Sequence, residues 1–232
     1  TVETSTYADL VIRINETGET LTILNGASTN AYYQIKSVEF GDGTIWSWND
    51  VKQFGINGIH GTQEGDTLQL SQTGALYGSS GNDTLIGSSG VDRLFGGAGD
   101  DILVGGGGND SLTGGAGSDV FVFDAALNEA TNVDTLLDFV SGVDRIQLSP
   151  DTFSMLGEEG TLNENFFTAN ADGTAMKSMD YIIYNTATGD LFYDMDGSGE
   201  GAAVRFATLD QAPALTAEDF IVGVAPPTDG FF

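Results

Sequence analysis

Residues 78–122 read GSSGNDTLI, GSSGVDRLF, GGAGDDILV, GGGGNDSLT and GGAGSDVFV, five nine-residue blocks without a gap. Each opens on glycine: Gly78, Gly87, Gly96, Gly105 and Gly114. Each carries an aspartate sixth (Asp83, Asp92, Asp101, Asp110, Asp119) and a bulky apolar residue eighth (Leu85, Leu94, Leu103, Leu112, Phe121). A fixed period implies one structural unit repeated, each burying its apolar face on its neighbours. The first six residues of a block read as a turn, because glycine reaches positive φ and close backbone approach at little cost. The last three read as a very short strand whose eighth-position side chain faces inward. Two blocks then make one coil, with a strand on each side and two rows of Leu/Phe meeting in a thin core.

That core is too thin to offset the ordering of the whole array. Six acids (Asp83, Asp92, Asp100, Asp101, Asp110, Asp119) also face one cation, Arg93, so repulsion adds to the deficit. Something must neutralise the row of carboxylates and tie the turns together. Six or more hard oxygen ligands per site, from carboxylates and backbone carbonyls, describe Ca²⁺ rather than Zn²⁺ or Mg²⁺.

The GGxGxDxUx pattern resembles the RTX (repeats-in-toxin) family of haemolysin-type calcium-binding proteins, shared by many type I secretion substrates. The resemblance implies an all-β fold: a right-handed parallel β-roll of nonapeptide repeats flanked by β-rich capping modules. It also implies at least three Ca²⁺ ions, each held between turns two blocks apart. One turn gives the carbonyls of positions two and four plus its Asp; the other gives those of positions one and three plus its Asp. Carried onto this chain, the first site uses Ser79, Gly81 and Asp83 with Gly96, Ala98 and Asp101. The second uses Ser88, Gly90 and Asp92 with Gly105, Gly107 and Asp110. The third uses Gly97, Gly99 and Asp101 with Gly114, Ala116 and Asp119, so that Asp101 serves two ions, one per carboxylate oxygen. Serine replaces the second glycine in the first two blocks; with only the carbonyl in use there, little effect is expected.

Beyond the array the pattern decays. Residues 61–69 form a degenerate block with Asp66 sixth and Leu68 eighth, followed by an eight-residue stretch with Gly74 where the Asp belongs. Two readings stand: a further ion held by Thr62, Glu64 and Asp66 with Gly78, Ser80 and Asp83, or a capping coil without metal. After Val122 the glycines disappear, and residues 133–146 resemble the cap that follows RTX arrays. There Asp134 and Asp138 either close a last site or are turn and surface acids.

The flanks read as β structure. Leu10, Ile12 and Ile14, then Leu21 and Ile23, Val38 and Phe40, and Trp46 and Trp48 alternate between turn signals at Glu16-Thr17-Gly18 and Gly41-Asp42-Gly43. This stretch resembles the small β module that precedes RTX arrays. The tryptophans read as core or cap packing in preference to a sugar platform. Further on, residues 181–184 and 191–193 read as strands around a turn. Asp194-Met195-Asp196-Gly197-Ser198-Gly199-Glu200 resembles the first half of an EF-hand loop, but its twelfth position is Arg205, so the bidentate carboxylate is missing. A tight turn and a calcium site near Asp194 and Asp196 both remain open. Thr216-Ala217-Glu218-Asp219 ahead of Phe220 reads as a capped helical turn. The order RxFATL…PALTAEDFIVG resembles the C-terminal end of type I secretion substrates.

Composition narrows the function. With 34 Asp+Glu against 7 Lys+Arg, a formal charge of −27 argues against nucleic acid and against electrostatic adhesion to anionic lipid. The chain has no cysteine, so calcium takes the stabilising role that disulfides play elsewhere. No apolar run approaches the length of a membrane span, and no signal peptide is visible. The opening TVETSTYADL lacks an initiator Met, which reads as a fragment or processed product. There is one histidine, His60, no HExxH and no GxSxG, so no enzyme is expected. His60 reads as part of the roll's first turn.

The expected organisation is an N-terminal β capping module (1–58), a β-roll (59–125) and a C-terminal β-rich cap with the secretion signal (126–232). The expected function is a module that folds on Ca²⁺ outside the cell and carries the export signal of a larger, secreted or surface-bound protein. Its partners are the type I machinery and the N-terminal remainder of that protein. The alternatives are the end of an adhesin contacting a surface or sugar, and the stabilising domain of a secreted protease, lipase or epimerase.

Overall fold

The computed structural model describes four strands at 10–13, 20–23, 37–39 and 45–47, together with residues 58–224. The chain forms two compact units, Thr1–Asn57 and Gly58–Phe232. In the first, β1 (Leu10–Arg13) pairs antiparallel with β2 (Thr20–Ile23), and β3 (Ser37–Glu39) with β4 (Ile45–Ser47). The strands fall where the alternation places them. Trp48 and the connecting turns lie outside the described residues.

In the second unit ten short strands alternate between two parallel sheets. One sheet takes β5 (Ile59–His60), β7 (Ala75–Ser80), β9 (Arg93–Ala98), β11 (Ser111–Ala116) and β13 (Asp134–Leu136). The other takes β6 (Thr67–Gln69), β8 (Thr84–Ile86), β10 (Ile102–Val104), β12 (Val120–Phe123) and β14 (Arg145–Leu148). The register aligns the eighth position of every block: Leu76, Leu94, Leu112 and Leu136 on one side, Leu68, Leu85, Leu103, Phe121 and Ile146 on the other. All except Leu68 are completely buried, so the thin core anticipated from the period is present. On the outer face of the first sheet His60, Tyr77 and Phe95 stack at 4.5 and 4.9 Å, so His60 belongs to a strand and not to the turn where it was expected.

The roll does not stop where the glycines do. Residues 59–125 and 126–232, separate stretches in the sequence reading, lie in one compact unit because β13 and β14 add a further coil. The chain then leaves the stack for β15 (Gly160–Thr161), β16 (Phe167–Asn170) and the hairpin β17 (Ile182–Asn185) with β18 (Asp190–Tyr193). It returns as β19 (Val204–Leu209), parallel to β13, and β20 (Phe220–Val222), parallel to β14. These last strands put Leu209 and Phe220 at the ends of the two apolar rows. One turn of 3-10 helix, Ala217–Asp219, joins them, with the Asp219 carboxylate accepting the Thr216 N–H at 2.8 Å as the capping reading requires. Phe123, Phe153, Tyr193 and Phe206 meet edge-on at 5.1 Å and wedge the excursion against the roll.

Replacing Leu103 by Ala in the calcium-saturated chain is expected to cost about 2–5 kcal/mol, since a residue with no exposed surface leaves a cavity that a layered stack cannot close. The exposed Val91→Ala is expected to stay within about 0.5 kcal/mol. Denaturant unfolding measures both.

Candidate metal centre

Alternation of strands sorts the turns into two rows. The first row holds turns 61–66, 78–83, 96–101, 114–119 and 137–144, and the second holds 70–74, 87–92, 105–110 and 124–133. Along each row the sixth-position carboxylates form a ladder. In the first, the Asp66 N–H donates to Asp83 Oδ1 at 2.7 Å, Asp83 to Asp101 at 2.8 Å, Asp101 to Asp119 at 3.0 Å and Asp119 to Asp144 at 3.1 Å. In the second, Gly74 donates to Asp92 at 2.6 Å, Asp92 to Asp110 at 2.8 Å and Asp110 to Asp134 at 3.0 Å. The aspartates paired in the sequence reading are therefore successive rungs: Asp83 with Asp101, Asp101 with Asp119, and Asp92 with Asp110.

The other carboxylate oxygen is the informative one. Oδ2 of Asp83, Asp101, Asp110 and Asp119 is buried and has no hydrogen-bond partner. An ionised oxygen in that state is costly unless a cation meets it. The glycines make the room. A Cβ on Gly105 would stand 2.7 Å from Asp110 Oδ2 and 2.9 Å from Asp134 Oδ2, so the two oxygens converge on one point. A Cβ on Gly96 would collide with Asp101 Oδ2 and lie 2.6 Å from the Gly114 carbonyl. Among the described residues no three His, Asp or Glu side chains gather, so the remaining donors in any such cradle are backbone carbonyls. Paired carboxylates with carbonyls fit a hard cation of high coordination number.

The structure also departs from the sequence reading. Asp101 Oδ1 accepts the Asp83 N–H, so its two oxygens are not equivalent donors as the two-ion reading supposed. The carbonyls of Ala98, Ala116 and Ser88 accept the N–H groups of Gly81, Gly99 and Gly107 at 2.8, 2.8 and 3.0 Å, leaving one lone pair each. The two serines are not neutral replacements. Ser79 sits at φ 86°, as Gly97, Gly106 and Gly115 do at 114°, 87° and 106°, a region that costs a β-carbon about 1–3 kcal/mol. The Ser88 N–H and hydroxyl donate to Asp92 Oδ2 at 2.6 and 2.8 Å, so this oxygen already has partners. Thr62 treats Asp66 in the same way, at 2.6 and 2.9 Å, which favours the capping-coil reading there.

Asp134 and Asp138 do not share a site. Asp134 extends the second row, whereas Asp138 lies over the first and accepts the N–H groups of Gly114 and Gly115, both at 2.9 Å. The carboxylate that continues the first row is Asp144, which the sequence reading passed over. Only its distance before Ile146, two residues as in every block, marks it. An outer ladder at the fifth position was also missed: Asn82 Oδ1 accepts the Asp100 N–H at 2.9 Å, and Asp100 Oδ1 accepts the Ser118 N–H at 2.8 Å.

Burial, ahead of the neighbouring carboxylates, holds these acids above the usual carboxylate range. Asp101 is pushed up to about 6 and Asp110 to about 8, the latter with Asp134 as the strongest charged neighbour. Burial alone lifts Asp134 to about 7. Asp83, Asp119 and Asp144 are raised for the same first reason.

Residues 75–103 and 96–125 match the family of the RTX calcium-binding nonapeptide repeat (4 copies), and residues 9–50 match the haemolysin-type calcium binding protein related domain. No curated protein matches the chain. Among solved structures, it is similar to the AlgE6R3 subunit of the Azotobacter vinelandii mannuronan C5-epimerase, at 22% identity over 74% of this chain and 93% of that one, with a TM-score of 0.33. The AlgE6R2 subunit of the same enzyme matches at 23% identity over 73% and 95%, with the same score. The strand pairing, not these scores, defines the fold.

A folded-state pKa above the unfolded value of about 3.9 contributes stability below pH 4 that is lost as pH rises through about 6 to 8. In chelator the chain is therefore expected to be more stable at pH 5 than at pH 8. Asp110→Asn is expected to flatten that slope and to weaken calcium binding. Far-UV circular dichroism across pH, with and without calcium, separates the two effects.

Proposed function

We propose that the chain is an RTX-type calcium-binding module that works in folding and export, with a β-roll that forms on Ca²⁺ outside the cell. The observation that carries this reading is the row of buried, unpartnered Oδ2 atoms on Asp83, Asp101, Asp110 and Asp119. The unpartnered oxygens of Asp83, Asp101 and Asp119 would meet ions along the first row, together with the carbonyls named from the repeat. The convergence of Asp110 and Asp134 at Gly105 gives a position on the second row. Bound calcium would supply the positive charge that these carboxylates lack. The protein's own part is to bury them, hold their spacing through the N–H ladder and keep side chains out of the cradles.

At cytosolic calcium levels the acidic chain would stay extended enough to pass a secretion channel. Extracellular modules bind with Kd of about 10⁻⁴–10⁻³ M, which matches calcium outside cells, and binding then contributes folding energy. RTX repeats are typical of secreted proteins, and among the described residues no helix is long and apolar enough to cross a membrane. The segment that resembles an export signal forms β19 and β20, which rest on the last coil. Its order would follow from that of the roll, so it would be accessible before folding and packed afterwards. In this reading the partners are the type I machinery and the remainder of a larger protein, and the module itself carries no catalysis.

A calcium titration from the chelated state, followed by far-UV circular dichroism and hydrodynamic radius, is expected to show cooperative gain of β signal with compaction. Asp101→Asn should move the midpoint to higher calcium by roughly tenfold or more, the loss of one charge-assisted ligand. The exposed Asp100→Asn should move it far less. A calcium-free chain that is already compact, with full strand content, would overturn the switch. Deleting residues 204–232 should raise the midpoint as well, because it strips the cover from Leu136 and Ile146.

A further inference from the structure

The loop between β18 and β19 carries acids that the roll does not use. Asp194 is buried, its Oδ1 accepts the Asp196 N–H at 3.2 Å, and the Asp196 carboxylate stands beside its own. This half-loop lacks a twelfth-position carboxylate. The turn that this loop is hydrogen-bonded to carries another acid. Asp180, just before β17, is 1% exposed. Its Oδ2 accepts the N–H groups of Met176 and Lys177 at 2.9 and 2.8 Å, while its Oδ1 is buried without a partner.

Two hydrogen bonds close a ring around these acids. The Asp194 N–H donates to the Tyr181 carbonyl at 2.8 Å, and the Ser198 N–H to the Lys177 carbonyl at 3.1 Å. Asp180 lies in the arc between 177 and 181, and Asp194 and Asp196 lie in the arc between 194 and 198. Gly197, at φ 62°, lets the arcs approach: a Cβ there would stand 2.5 Å from the Ser178 carbonyl and 3.0 Å from that of Lys177. Carbonyl oxygens therefore face the same loop.

We infer that Asp180, Asp194 and Asp196, with backbone carbonyls of the 177–178 turn, bind one divalent cation of the calcium type, outside the repeat array. Asp180 stands in for the missing EF-hand carboxylate. The three side chains are not gathered into a cage among the described residues, so the carboxylates close on the ion as it binds. The site would pin the 194–203 loop to the β17 end of the hairpin.

The test is calcium stoichiometry on the full chain by native mass spectrometry and calorimetry. Asp196→Asn, at an exposed position, and Asp180→Asn should each bind one ion fewer than the unaltered chain while keeping its far-UV signal. Asp101→Asn serves as the contrast: it should lose roll ions and retain the one that Asp196→Asn removes. If Asp180→Asn fails to fold, Asp196→Asn decides alone. Unchanged stoichiometry in Asp196→Asn overturns the site and leaves the roll reading intact. A chain that binds no calcium overturns both.

Discussion

Everything in the second unit depends on how a row of aspartates is buried. Each sixth-position carboxylate spends one oxygen on the backbone N–H of the turn below, which sets the vertical spacing of the coils. The other oxygen, in Asp83, Asp101, Asp110 and Asp119, is left inside without a donor. Stacking the coils brings like charges together and removes water from them at once. The fold is therefore self-consistent only when positive charge enters the turns, and the glycines at Gly96 and Gly105 leave the space for it.

The same constraint explains the thinness of the strands. Strands β7 to β14 run only three to six residues, and each of β7 to β11 places a single side chain in the main core, so the rows that start at Leu76 and Leu85 are a single file on each side there, with Ile86, Val104 and Val122 in a separate small cluster. Such a core has little lateral redundancy. Its ends need covers, because an exposed parallel edge offers both unpaired backbone and apolar side chains. At the C-terminal end β19 and β20 supply that cover, and the edge-on cluster of Phe123, Phe153, Tyr193 and Phe206 locks the intervening chain in place. Order there is coupled to order in the repeats.

The two rows of turns are not equivalent. The first carries three adjacent unpartnered carboxylate oxygens, on Asp83, Asp101 and Asp119. In the second, Ser88 satisfies Asp92, and Gly74 takes the place of an aspartate while still donating its N–H up the ladder. Charge demand on that side concentrates at Asp110 and Asp134, whose Oδ2 atoms converge. A chain with identical repeats would present the same oxygens on both edges; this one presents them unequally.

The period of nine, the acid at the sixth place and the apolar residue at the eighth determined the coil, the inward rows and the facing carboxylates, because a repeat forces the same local conformation each time and stacking follows from it. The antiparallel hairpins and the capping turn at Thr216 were legible for similar reasons: alternation and cap chemistry are local. What lay beyond the sequence was set by contacts between distant residues. That Asp144 and not Asp138 continues the first row depends on where the 137–144 turn crosses over. That Ser88 uses up a carboxylate oxygen depends on the backbone of its turn. That the chain leaves the roll after β14 and returns some fifty residues later as its last coil depends on β19 and β20 finding β13 and β14. That the turn carrying Asp180 meets the half-loop at Asp194 depends on the pairing of β17 with β18. Local pattern encodes the repeating unit; only tertiary packing decides where the stack ends and which acids it brings together.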